Sequence, residues 1–188
     1  MQEPTLREGG ERMLEIVRSM GALDFEELMA VYRESNAENA QEQDIPIAQV
    51  EQNFADYLRE DFFRQKGAFY CLWKVNGRTV SALRLEPFGD GLLLEALETM
   101  PEQRRRGYGK ALILAVLDHV RSGDKKPVYS HVWKRNHASL ALHAACGFTQ
   151  VLDYAKLIDG SVNTSHVTLK CLYKTRLRCA FLHRRRSL

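Results

Sequence analysis

The chain has 188 residues, 45% of them hydrophobic and 27% charged, the balance of an ordinary soluble domain long enough to bury a sizeable core. No apolar run approaches the roughly 20 residues of a membrane-spanning helix, and none at the N-terminus follows a basic segment, so no membrane role is expected and the cytoplasm is the expected location. The net charge of +3 is concentrated: the last fifteen residues hold six of the 27 Lys and Arg and no acid, leaving 21 basic against 24 acidic residues elsewhere, which argues against a whole-surface attraction to nucleic acid.

In chain order, Glu11 to Arg18 reads as a first strand, and Asp24 as the cap of a helix whose apolar positions Phe25, Leu28, Met29 and Tyr32 run out at Ser35-Asn36. Ala37 to Asp44 reads as a polar loop. Ile47, Val50, Phe54, Tyr57, Leu58 and Phe62 mark a second helix, closed by Gly67. The period then changes to two over Phe69 to Val75, Asn76-Gly77 signals a hairpin, and Arg78 to Leu85 is its partner strand. After a turn at Pro87 to Gly91, Leu92 to Thr99 is a further strand, and a polar loop from Pro101 to Arg106 leads into a helix carrying Leu112, Ile113, Val116, Leu117 and Val120. Val128 to Trp133 is a strand, Asn136 to Cys146 a short helix, and Phe148 to Ile158 and Ser165 to Tyr173 are two last strands joined by a turn.

This order predicts an α+β domain: a mixed, mostly antiparallel sheet of six or seven strands flanked by about four helices. The helix between the strands at 92–99 and 128–133 makes those two parallel. Residues 1–175 form one domain, and 176–188 a basic tail. An exposed edge at Ser165 to Tyr173 could support a homodimer. The cysteines, Cys71, Cys146, Cys171 and Cys179, form no C-x-x-C pair and read as buried thiols, so no metal site is expected.

The chemistry concentrates at Arg104-Arg105-Arg106-Gly107-Tyr108-Gly109-Lys110, between a strand and a helix. Glycines let the backbone turn and approach a ligand closely, free N–H groups at the helix start favour an anion, and the four cations add opposite charge. The spacing fits neither a Walker loop, which needs Gly at Arg104 and Ser or Thr at Ala111, nor a dinucleotide fingerprint, which needs a small residue at Leu112.

The Arg-x-x-Gly-x-Gly spacing resembles the signature of the GCN5-related N-acetyltransferase family. A second stretch, Asn136-His-Ala-Ser139-Leu-Ala-Leu142-His143-Ala-Ala-Cys-Gly147-Phe148, is similar to that family's Asn-x-x-Ala/Ser-x-x-Leu-Tyr-x-x-x-Gly-Phe segment. The resemblance spans roughly Met13 to Tyr173. It implies that the glycine loop cradles the pyrophosphate of acetyl-coenzyme A, with Asn136 and Ser139 nearby. It also implies a V-shaped gap between the strands at 92–99 and 128–133, where backbone groups near Leu97 and Thr99 bond the pantetheine arm and a main-chain N–H polarises the thioester carbonyl.

The implied reaction is acetyl transfer to a primary amine, of a small molecule or a peptide, by direct attack in a ternary complex. It needs a base for the ammonium proton. Glu95 and Glu98 are the candidates, and alternation puts them on opposite faces unless a bulge intervenes. Family members often carry an acid at the parity of Glu95. His143 stands where the family usually has a tyrosine that protonates the leaving thiolate, and is the candidate for that role. His131, Trp133 and Tyr154 are candidate walls of the acceptor side, and Glu34, Asn36 and Glu38 would suit a cationic amine. Two other readings compete: a weakly catalytic acyl-coenzyme A-binding module, and nucleic-acid binding through the arginine runs.

Overall fold

The computed structural model describes residues 11–172 except 124 and 158. The basic tail and Cys179 lie outside the described residues. Seven strands form the main sheet: β1 (Arg12–Val17), β2 (Phe69–Val75), β3 (Arg78–Phe88), β4 (Gly91–Thr99), β5 (Val128–Trp133), β6 (Thr149–Leu152) and β9 (His166–Cys171), in the order β1-β2-β3-β4-β5-β9-β6. Among the described residues only β4 and β5 run parallel, as the crossover helix requires. A separate hairpin pairs β7 (Ala155–Lys156) with β8 (Val162–Asn163).

Four α-helices cover the sheet: α1 (Phe25–Gln43), α2 (Ile47–Glu60), α3 (Tyr108–Ser122) and α4 (His137–Ala145). Helix α3 packs Leu112, Ile113 and Val116 onto Leu83, Leu85, Leu92 and Leu94, the odd positions of β3 and even positions of β4. The other face of the sheet meets α1, α2 and the short turn after α2 through Leu28, Tyr32, Leu58 and Phe62, packed on Tyr70, Leu72 and Ala82.

Three expectations require correction. Helix α1 does not stop at Asn36 but continues to Gln43, because Asn36 and Ala40 extend the buried spacing of Leu28 and Tyr32 by two further turns. It ends where Asp44 turns left-handed (φ 52°) and Ile45 N–H bonds back to Ala40. The segment from Phe148 to Ile158 is not one strand. It breaks after Leu152, where the Thr168 hydroxyl donates to the Tyr154 carbonyl at 2.6 Å, and resumes as β7. The segment Ser165 to Tyr173 is not the sheet edge, since β9 pairs with β5 on one side and β6 on the other and both sides of its backbone are consumed. The edge at this end of the sheet is β6, whose four residues are exposed.

Candidate functional site

Strands β4 and β5 pair over three residues, Leu92 to Leu94 against Val128 to Ser130, and then part. Gly91 fixes the closed end: a Cβ there would collide with the Pro127 carbonyl, to which Leu92 N–H donates at 3.0 Å. The parting coincides with a bulge. Arg84 faces Glu95 and Ala82 faces Glu98 across β3 and β4, so β4 carries one extra residue, and Ala96 adopts φ 52° to accommodate it. The bulge brings Glu95 and Glu98 onto one face, the alternative that strict alternation excludes.

Beyond the bulge lies a cleft of about 710 Å³. Its floor is Leu97, Glu98 and Thr99 of β4, and one wall is Glu34, Ser35 and Glu38 of α1, the last from the part of the helix beyond Asn36. The glycine loop forms the opposite wall. Arg105 and Gly107 both have positive φ, 61° and 81°, which curls the loop so that the opening turn of α3 faces the cleft. Gly109 permits the close approach of this turn to β4, since a Cβ there would sit 3.3 Å from Thr99 Oγ1. Thr99 is held in turn by Ser81, whose hydroxyl lies 2.9 Å from it. Tyr108, Lys110, Asn136 and Ser139 also line the cleft. Asn136 caps α4, accepting from Ser139 N–H at 3.0 Å.

The arginines divide. Arg104 and Arg105 both line the cleft, and Arg104 is also tied to Glu34 and donates to the Thr99 carbonyl at 3.2 Å, stapling the loop to α1 and β4. Arg106 is exposed and is not among the lining residues. Burial raises the Glu98 carboxyl above its ordinary range, assisted by Glu34 and Glu38 and opposed by Ser35 and Arg104.

Glu95 opens on a different space, a cavity of about 440 Å³ shared with Leu93, His131, Leu157 and Asp159. Its carboxylate accepts from Arg84 at 2.9 Å. Burial disfavours the Arg84 charge, but Tyr70, Tyr57 and Glu95 outweigh that and hold it protonated, and its guanidinium lies over the Tyr57 ring, 5.1 Å from the centroid. A second carboxyl belongs to this group. Glu86 is 1% exposed and accepts from Gln65 at 3.0 Å. Burial raises it above the ordinary carboxylate range, and the neighbouring Glu95 adds to the rise. Burial holds His131 below the usual imidazole value, so its ring is neutral near pH 7.

His143 is not among the residues lining either space. It is 2% exposed, its Nδ1–H donates to the Ser139 carbonyl at 2.8 Å, and its ring meets Phe148 edge-on at 5.1 Å. That bond occupies the proton of the neutral ring, and Nε2 is buried without a partner. Asn36 is likewise buried, its amide on the Met29 sulfur.

Sequence reasoning missed Tyr32, Tyr70, Arg84 and Glu86. The legible signal was Ala82-Leu-Arg84-Leu-Glu86, where two charged residues share the strand face that the aromatic helices cover. Among the described residues no His, Cys, Asp or Glu cluster suited to a metal is present, and no helix is long and apolar enough to cross a membrane.

Comparison with known proteins places this architecture. The PaiA N-acetyltransferase of Thermoplasma acidophilum, solved with coenzyme A, superposes with a TM-score of 0.59 at 17% identity, over 86% of this chain and 99% of that one. PH1933 of Pyrococcus horikoshii OT3 gives a TM-score of 0.64 at 16% identity, over 88% and 100%. The ribosomal-protein-S18-alanine N-acetyltransferase of Escherichia coli gives 0.56 at 17%, over 88% and 98%. At such identities the likeness is one of fold. No curated protein matches the sequence. The model of the acetyltransferase (GNAT) family matches residues 26–148, a segment that begins in α1 and ends at Phe148 beyond α4, taking in the bulge, the glycine loop and Asn136. The chain therefore belongs to the acetyltransferase (GNAT) family.

Proposed function

We propose that the protein is an acetyl-coenzyme A-dependent N-acetyltransferase that transfers the acetyl group to a primary amine by direct attack in a ternary complex. The observation that carries this reading is the opening of the sheet beyond Leu94 and Ser130, with the anion-binding loop on one side and the Glu95 cavity on the other.

The cleft fits the cosubstrate in charge and in shape. Arg105, Lys110 and the first N–H groups of α3 would hold the diphosphate, and Gly109 leaves room for it beside Thr99. Glu95 takes the proton of the acceptor ammonium, with Arg84 holding its carboxylate in place in the resting site. The freed amine nitrogen bonds to the acetyl carbon, the C–S bond breaks, and the sulfur leaves as a thiolate. His143, turned into the core, supports α4 instead of protonating that thiolate. Leu93, His131 and Leu157 give the acceptor cavity an apolar body with a neutral imidazole, and Asp159 a carboxylate at its rim. A small-molecule or peptide amine suits this cavity, and among the structural neighbours one is named for a ribosomal-protein alanine and another for spermidine.

The test is calorimetry with acetyl-coenzyme A on the wild type and a Gly107→Ala, Gly109→Ala variant, then coenzyme A release across amines that include spermidine and an alanine-terminated peptide. Binding lost in the variant, with release that Glu95→Gln abolishes, supports the reading. Absence of wild-type binding refutes it. Tight binding with no release from any amine favours the weakly catalytic binding module.

A further inference from the structure

Resting on the reading of the cleft just given, one buried array remains unused by it. Tyr32 of α1 and Tyr70 of β2 are 4% and 0% exposed, and their hydroxyls lie 3.0 Å apart. The Tyr32 hydroxyl donates to the Ala96 carbonyl at 2.6 Å. A phenol has one proton, so the Tyr32 bond to Ala96 leaves Tyr70 as the donor between the two rings. The oxygen of Tyr70 in turn lies against the Arg84 guanidinium. The two phenols point their protons the same way, Tyr70 to Tyr32 and Tyr32 to the Ala96 carbonyl, with the Arg84 cation at the start of the series.

The end of this chain is the one peptide that the bulge turns out of the strand. Ala96 holds φ 52°, a conformation unfavourable for a residue with a Cβ. A short bond on its carbonyl fixes the peptide plane, and in a trans peptide the N–H points opposite to the C=O. The N–H on the far side belongs to Leu97, which lines the cleft and has no partner in the β3 or β5 ladders.

We propose that Tyr32, backed by Tyr70 and Arg84, is a positioning residue for the reaction: it locks and polarises the Ala96–Leu97 peptide so that Leu97 N–H is the donor to the thioester carbonyl. A hydrogen bond accepted by a peptide carbonyl strengthens the donor at the other end of that peptide, and a directional series of such bonds compounds the effect. Burial keeps both phenols protonated, raising Tyr32 well above its usual value and Tyr70 to about 12, so the series stays intact over any working pH. Glu95 grips the same arginine at 2.9 Å. The base and the carbonyl-polarising N–H are therefore anchored to a single side chain.

The experiment is difference infrared spectroscopy of acetyl-coenzyme A labelled with carbon-13 at the acetyl carbonyl, bound to wild type, Tyr32→Phe and Tyr70→Phe without any amine. The expected result is a carbonyl band lowered in frequency in the wild type, close to its position in water in Tyr32→Phe, and intermediate in Tyr70→Phe. Affinity for acetyl-coenzyme A changes little, while the rate of transfer falls about tenfold or more in Tyr32→Phe, the scale expected of weakening one oxyanion donor. Should Tyr32→Phe fold poorly, adding Ala96→Gly restores the bulge, because glycine accepts the positive φ, and the band should still lie at its position in water. An unshifted band between wild type and Tyr32→Phe overturns the proposal even if the cleft binds. No bound band in the wild type overturns the cofactor reading, and this inference falls with it.

Discussion

The Arg84 group invites a thermodynamic test that needs no substrate. The guanidinium is 17% exposed, the Glu95 carboxylate approaches it to 2.9 Å at 29% exposure, and Glu86 lies beside both at 1% exposure. One arginine thus has two carboxyls and needs only one. A pair at about 4 Å is worth on the order of 4 kcal/mol of gross attraction at an effective dielectric near 20, most of it offset by desolvation. In Glu95→Gln the repulsion that adds to the burial-driven rise of Glu86 disappears, which leaves Glu86 better able to serve as the arginine's counter-charge. The single variant should lose only about 1 kcal/mol, and Glu86→Gln a similar amount. The double variant leaves a buried guanidinium without a counter-charge and should lose about 3–5 kcal/mol. Urea unfolding at pH 7 on the four proteins gives the coupling energy, expected at about 1–3 kcal/mol. The pH dependence carries the same signature. A carboxyl raised in the folded state contributes stability below its unfolded value and loses it as pH rises through its folded value. The loss due to Glu86 should move to lower pH in Glu95→Gln. Additivity within about 0.5 kcal/mol would show that Glu86 does not substitute for Glu95 and would refute the reasoning.

His143→Phe should retain turnover and its pH profile, with stability at pH 8 within about 1.5 kcal/mol of wild type. Because burial lowers the His143 value, the wild type loses stability as pH falls through the unfolded imidazole value of about 6.5 and on to the folded one. That loss, at most about 1.4 kcal/mol per pH unit for one proton, should be reduced in the variant when thermal unfolding is followed from pH 8 to 5. Glu98→Gln removes a carboxyl whose burial favours its neutral form. Its melting temperature should therefore gain on wild type as pH rises from 4 to 7, with transfer slowed far less than by Glu95→Gln. A loss of transfer equal to that in Glu95→Gln would move the base to Glu98.

The two glycine-bearing segments were legible because they are local: Arg104 to Lys110 and Asn136 to Phe148 each fold around their own backbone, and the helices they open lie where periodicity puts them. The two-residue alternation placed β2 to β5 for the same reason. Three features escaped because their causes are distant in sequence. The last two turns of α1 depend on Asn36 and Ala40 finding cover, not on an apolar run. The place of β9 inside the sheet depends on its pairing with β5 and β6, partners distant from it in sequence. The common face of Glu95 and Glu98 depends on one residue of slippage at Ala96 against Leu83, which no pattern within β4 announces. His143 was misplaced for a subtler reason: the motif fixes its position along α4, but the rotation of that helix, with Ser139 and Leu142 towards the cleft, turns the imidazole inward.

The three-residue pairing of β4 with β5 also bears on how the molecule coheres. It welds two blocks, β1 to β4 on one side and β5, β9 and β6 on the other, with far fewer backbone bonds than either block contains. Beside that pairing stands a shared apolar cluster, in which Leu112, Ile113 and Val116 of α3 lie with residues of both blocks, Leu83 and Leu94 on one side and Val128, Val132 and Leu169 on the other. Cooperativity of unfolding thus rests in part on that helix's buried stripe. Shortening a side chain there should uncouple the blocks before it unfolds either, turning one transition into two, whereas an equal loss of volume under α1 should lower the whole transition without dividing it.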